Sequence, residues 1–194
     1  VFAIQDEIAG SIAGALSSRL VAKPARRPTL NMDAWELWLK GRSTALVYTP
    51  DAMMRAGESF RAALGLDASF AQPHLGLAEM AWQATEFGLL PAGTGLPLVR
   101  AEVDRALALD DSLGEAHALD GALRGLLDFD WAAARRSFDR ALVENPSSVE
   151  VRRRLAWSYL APRGDLAEAD RALDDLVGLD PLSPILLSSS GLVK

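Results

Sequence analysis

Two histidines, His74 and His117, are the residues whose chemistry most invites a metal or acid–base reading. They stand in similar surroundings, Gln72-Pro73-His74-Leu75 and Glu115-Ala116-His117-Ala118. If those segments are stacked helices, the two rings lie roughly 10 Å apart. Zinc holds its nitrogen ligands at about 2 Å, so one ion cannot take both. Packing in or beside a core is the expectation for each. Gly93-Thr94-Gly95 shares only its glycines with a phosphate loop, because no Lys-Ser or Lys-Thr pair follows and no strand precedes it. Asp128, Asp130 and their acidic neighbours lack calcium-loop spacing. Ser188-Ser189-Ser190 has no base nearby and reads as a fraying helix end. There is no cysteine, hence neither a disulfide framework nor a thiolate site. The five tryptophans, Trp35, Trp38, Trp82, Trp131 and Trp157, read as packing anchors rather than a ligand cage. The expectation is a chain without catalytic, cofactor-binding or metal-binding residues.

What positions these residues is helix. Ala and Leu dominate the hydrophobic 49%, and both lose little side-chain freedom in a helix. A formal charge of −6 argues against nucleic acid, whose phosphates call for clustered Lys and Arg. The one basic cluster, Lys23, Arg26 and Arg27, is interrupted by Pro24 and Pro28 and belongs to a linker. No apolar run approaches the roughly 20 residues that span a bilayer. A chain opening Val1-Phe2-Ala3 and closing Leu192-Val193-Lys194 is expected to be a piece of something longer.

One phrase recurs. Ala62-Ala63-Leu64-Gly65-Leu66-Asp67 returns as Arg105-Ala106-Leu107-Ala108-Leu109-Asp110, as Arg140-Ala141-Leu142-Val143-Glu144-Asn145, and as Asp175-Leu176-Val177-Gly178-Leu179-Asp180. The closing residues fall at 67, 110, 145 and 180, giving intervals of 43, 35 and 35. Each phrase has the chemistry of a helix end, with apolar residues giving way to Asp or Asn and then to Pro or a small residue. Upstream, Trp131, Ala134, Phe138, Ala141 and Leu142 share one helical stripe, as do Met53, Ala56, Phe60, Ala63 and Leu64. Ahead of each such helix lies an Ala-rich one, in which Gly76, Ala78, Ala81, Ala118 and Ala122 allow close approach of neighbours. The unit is two antiparallel helices per roughly 35 residues.

These residues resemble the tetratricopeptide repeat, a helix-turn-helix with a small residue early in its second helix, then an aromatic, an Ala and a Pro. Ala134, Phe138, Ala141 and Pro146 carry the pattern most fully. Ala56, Phe60, Ala63 and Ala68 carry it in the first repeat, and Ala169, Leu173, Leu176 and Pro181, with Gly164 at the turn, in the fourth. The second, with Val99, Val103, Ala106 and Asp111, departs furthest. The resemblance implies an all-α fold, a right-handed superhelix of stacked antiparallel helix pairs, over residues 34–194, with about four hairpins and the start of a fifth. Val1 to Ala9, followed by Asn31 to Arg42, resembles a bacterial arrangement in which a TolB-like domain ends in a helix and such an array follows. That resemblance implies a protein-interaction part of a signalling protein carrying a cyclase, winged-helix or kinase domain. The expected compartment is then the cytoplasm, or the periplasm if the parent spans a membrane upstream.

Stacked hairpins leave a concave groove lined by the first helix of each. By register its lining includes Leu75, Glu79, Gln83, Leu119, Leu123, Arg154 and Ser158. Repeat families that grip a C-terminal carboxylate use Asn and Lys there, and this sequence offers only scattered Arg, so a protein or peptide partner held by apolar anchors is expected. Gly88 to Pro97 reads as an apolar loop that accounts for the longer first interval. Its Leu89, Leu90 and Leu96 either tuck back over the helix pair, the simpler expectation, or contact a partner. Residues 1–20 read as a helix with an apolar ladder, Ile4, Ile8, Ile12 and Leu16, that must pack on the array or on a second copy. Residues 21–33 read as a linker.

Overall fold

The computed structural model describes residues 29–193. The ladder Ile4, Ile8, Ile12 and Leu16 lies outside the described residues, as does the basic cluster. Nine helices follow among the described residues: α1 (Met32–Ala45), α2 (Pro50–Leu66), α3 (Ala71–Glu86), α4 (Ala92–Leu109), α5 (Gly114–Leu126), α6 (Trp131–Glu144), α7 (Val149–Leu155), α8 (Leu166–Leu179) and α9 (Pro184–Val193). Past Leu155, α7 continues through a π turn at Ala156–Leu160 and a 3-10 turn at Ala161–Arg163. Helices pack as α1 on α2, α3 on α4, α5 on α6 and the α7 segment on α8, with consecutive pairs stacked and α9 against α8.

The ends of the elements are written in side chains. Asn31, Thr49, Asp130 and Ser148 each accept a backbone N–H of the helix that follows, and Pro50 opens α2 where no N–H is needed. The four recurring acid or amide residues all close their helices by leaving helical backbone, at φ −148 for Asp67, −149 for Asp110, −138 for Asn145 and −141 for Asp180. Asp67 and Asp110 then accept the backbone N–H two residues on, from Ser69 and Ser112, which turns the chain into the next hairpin. The hydrogen bonds from Ser69 and from Thr29 also hold the Asp67 carboxyl below its usual range.

The stripes predicted from spacing form the core. Met53, Ala56, Phe60 and Ala63 are buried in α2, Val99, Val103 and Ala106 in α4, Ala134, Phe138 and Ala141 in α6, and Ala169, Leu173 and Leu176 in α8. Phe60 lies between two glycines. A Cβ on Gly41 would stand 2.5 Å from its ring, and one on Gly76 would stand 2.6 Å from the opposite edge. Small residues thus let α1 and α3 close on α2 from both sides.

Three boundaries differ from the sequence expectation. Helix α1 begins at Met32, inside the segment read as linker, because Asn31 supplies a cap that the pattern of prolines obscured. The apolar segment 88–97 is mostly helix: only the residues between Glu86 and Ala92 connect α3 to α4, and Pro97 lies inside α4. Pro97 has no N–H to give to the carbonyl of Gly93, and Gly93 itself is exposed. The additional residues lengthen both helices of this pair, to 16 and 18 residues against 13 and 14 in α5 and α6. Finally, Ser189 and Ser190 do not belong to a fraying end. Both are buried in α9, where Ser189 donates to the carbonyl of Ile185 and Ser190 to Asp174.

Candidate functional site

A pocket of about 390 Å³ opens on the side formed by the first helices of the pairs. Its near wall is α1, with Trp38, Arg42 and Ala45, and its floor is α3, with Leu75, Glu79 and Gln83. Leu113 and Glu115, where α5 begins, and Glu150 of α7 close the far end. Trp38 is held by the ring cluster it forms with Trp35 and Phe70, at centroid distances of 4.5 and 5.8 Å. The Arg42 guanidinium lies 5.0 Å over the Trp38 ring.

Tyr48 lines the same pocket from the turn between α1 and α2, on backbone at φ 54. The turns within the four pairs each contain one left-handed residue: Tyr48, Gly88, Phe129 and Gly164. Gly88 and Gly164 meet that geometry without a Cβ penalty, whereas Tyr48 and Phe129 incur a cost of about 1 kcal/mol or more. In the first pair the strained position sets an aromatic beside the pocket. Burial, with Glu150 nearby, raises the Tyr48 phenol above its ordinary value.

The deep end is an ionic cluster that joins non-neighbouring pairs. Arg154 of α7 is 1% exposed and donates from Nη2 to Glu79 of α3 at 2.8 Å and to Glu150 at 2.5 Å. Its guanidinium also lies 5.2 Å over the Trp82 ring. Arg153 forks onto Glu150, at 2.9 and 2.7 Å. One guanidinium shared between two carboxylates leaves Glu79 under-compensated. Burial therefore pushes the Glu79 carboxyl up to about 7, with Arg154 opposing and Glu150 adding to the rise. Burial acts on Glu150 in the same sense, but Arg154 and Arg153 together outweigh it and hold that carboxyl below its ordinary range.

Of the residues expected to line the groove, Leu75, Glu79 and Gln83 do so. Leu119 and Leu123 do not: both are buried in a core cluster with Ala78, Val99 and Val103. The long α4 presents its valines to α5 and draws in the face that register alone assigned to the groove. Arg154 and Ser158 are each 1% exposed, Arg154 behind the carboxylates and Ser158 within the packed π turn. Trp38, Tyr48, Glu115 and Glu150 line the pocket and were not anticipated. Leu89 and Leu90 border a second, shallower groove between α2 and α4, together with Met54 and Leu98. Leu89 is 51% exposed, whereas Leu96 packs against the Val99 and Val103 cluster.

The histidines make separate contacts. His74 Nδ1 lies 2.6 Å from Glu102 of α4, and His117 Nε2 lies 2.8 Å from the carbonyl oxygen of Asp111. Among the described residues no group of three His, Cys, Asp or Glu is placed to hold a metal ion. Among them, too, no helix is long and apolar enough to cross a membrane.

No protein-family model matches the sequence, and no curated protein matches it. The arrangement is similar to a solved structure of TTC0263, a thermophilic TPR protein of Thermus thermophilus, with a TM-score of 0.61 and 18% identity over 98% of this chain and 94% of that one. A tetratricopeptide repeat protein from Parabacteroides merdae is a more distant likeness, with a TM-score of 0.44 and 18% identity over 84% of this chain and 73% of that one. The fold is an all-α stack of helical pairs of the tetratricopeptide-repeat kind.

Proposed function

We propose that this region is a protein-interaction scaffold whose concave pocket takes an extended peptide of a partner protein. The observation that carries the reading is the pocket between α1 and α3, where Trp38, Tyr48 and Leu75 offer apolar surface around a few fixed polar groups. The test is selection of random linear peptides on the 194-residue chain, followed by affinity measurement on a Leu75→Arg variant. Loss of binding on that variant, with its helical content and melting temperature kept, supports the groove. Equal binding to both proteins would end this reading.

The resemblance of the opening residues to a TolB-like arrangement supports a place for this scaffold in a larger bacterial signalling protein, as its regulatory part. A second reading, a spacer that pairs two copies of an effector domain, is favoured by the apolar ladder Ile4, Ile8, Ile12 and Leu16. Size-exclusion chromatography with light scattering separates them. A dimer that becomes a monomer on Ile8→Asp with Ile12→Asp supports pairing, and a monomer at all concentrations excludes it.

A further inference from the structure

Among the described residues, one side chain carries the hydrogen bonding between α3 and α7: Arg154 reaches Glu79 through Nη2, and its guanidinium lies over Trp82. The tie is imperfect. Nη2 serves Glu79 and Glu150 at once, while Nε and Nη1 of Arg154 are buried with no hydrogen-bond partner among the described residues. Buried donors left in this way have given up water without replacement, so the closed arrangement is easily left. The cluster also divides cleanly. Arg153, Arg154 and Glu150 all stand on α7, where Glu150 accepts from both arginines. Glu79 stands alone on α3, with the pocket in front of it.

We propose that this tie is a proton-operated clasp: the fourth pair closes on the second while Glu79 is protonated, and tilts away from it when Glu79 ionises. A neutral carboxyl accepts from Arg154 at little cost, whereas an ionised one exchanges its water for a share of one nitrogen. On opening, the pocket returns that water. Glu79 lies on the pocket floor and Glu150 at its far end, so the tilt widens the pocket. Around Glu79, Arg153 and Arg154 stay cationic. Burial acts to raise Glu150, but the two arginines hold it below its ordinary range, and burial raises the Tyr48 phenol above its own. Arg42 of α1 and Glu115 of α5 line the same pocket, α2 brings Phe60 to it, and Glu102 of α4 is turned instead to His74.

The sign follows from the carboxyl, which burial raises from 4.5 to about 7 in the closed arrangement. Closure is favoured fully below 4.5 and loses that support as pH rises towards 7. At tenfold per pH unit, the closing equilibrium falls by about 300-fold in all. The chain has no cysteine, so a donor and an acceptor dye are placed on exposed Ala62→Cys in α2 and Asp175→Cys in α8 of the full chain. Single-molecule energy transfer should show one population at about pH 5 and a second, at a different distance, that grows towards about pH 8.5. Glu79→Gln keeps the accepting carbonyl and cannot ionise, and should hold the acid population throughout. Circular dichroism should show the same helical content at both ends of the range. One distance at every pH, an equal shift in Glu79→Gln, or a second population that appears only as helix is lost would each overturn the clasp.

Discussion

Replacing Gly76 by Ala sets two known effects against each other. In the interior of α3, Ala should favour the helix by about 1 kcal/mol. The new methyl group, however, would stand 2.6, 2.7 and 2.9 Å from three ring atoms of Phe60. That ring is 1% exposed and cannot retreat, because its other edge faces Gly41 at the same closeness. Overpacking of this kind costs about 1–3 kcal/mol, and a rigid ring held from both sides belongs at the upper end. The net expectation is a destabilisation of about 1–2 kcal/mol, which lowers the melting temperature by roughly 3–6 °C in a chain of this size. Thermal unfolding followed by circular dichroism reads it directly. Gly57→Ala is the control, since the nearest atoms to its methyl group would be those of the Arg61 guanidinium, at an ordinary contact distance of 3.6 Å, and it should raise the melting temperature. Phe60→Leu in the Gly76→Ala background should recover part of the loss beyond additivity. If Gly76→Ala proves as stable as the parent, the pinned ring does not set the spacing of α1, α2 and α3.

Three other perturbations probe the ionic cluster and the turns. Arg154→Met strands Glu79 and Glu150 without their shared cation and should cost about 3 kcal/mol or more in chemical denaturation. The Glu79 carboxyl is raised from 4.5 to about 7, so the folded chain retains a proton that the unfolded chain releases. Stability from this group is complete below pH 4.5 and is lost as pH rises towards 7, on the order of 3 kcal/mol in all. Glu79→Gln should flatten the stability profile across that window, measured as denaturation midpoints from about pH 4.5 to 8. Asp67 and Glu150, both held low, act in the opposite sense and only at more acid pH. Phe129→Gly relieves a left-handed backbone at a side chain 74% exposed, and should leave the melting temperature unchanged or raise it by a few degrees.

The repeat itself was written plainly in the residues. Asp67, Asp110, Asn145 and Asp180 end helices for a local reason, and the stripes around Phe60 and Phe138 must be buried whatever surrounds them. The pocket was less legible, because it depends on how far each pair turns relative to the next. Leu119 and Leu123 have the spacing of a groove face, but the lengthened α4 claims them, and only the length of α4 past Pro97 would have revealed it. Tyr48 and Glu150 reach the pocket by a turn conformation and by a contact between α7 and α3, and neither leaves a periodic mark in the sequence. The arginine at 154 is polar at a position that packs, which is the one signal that an ionic contact awaited it.

In a chain of stacked hairpins, each unit normally feels only its two neighbours, so stability is close to a sum over units and adjacent interfaces. The bond from Arg154 to Glu79 joins the fourth pair to the second, 75 residues apart along the chain, and passes over the third. Removing the fourth pair together with α9 would therefore weaken the second pair, one unit beyond the third pair that the cut leaves exposed. It also ties the first half of the array to the second, so that fraying cannot spread inward from one end without releasing a buried cation.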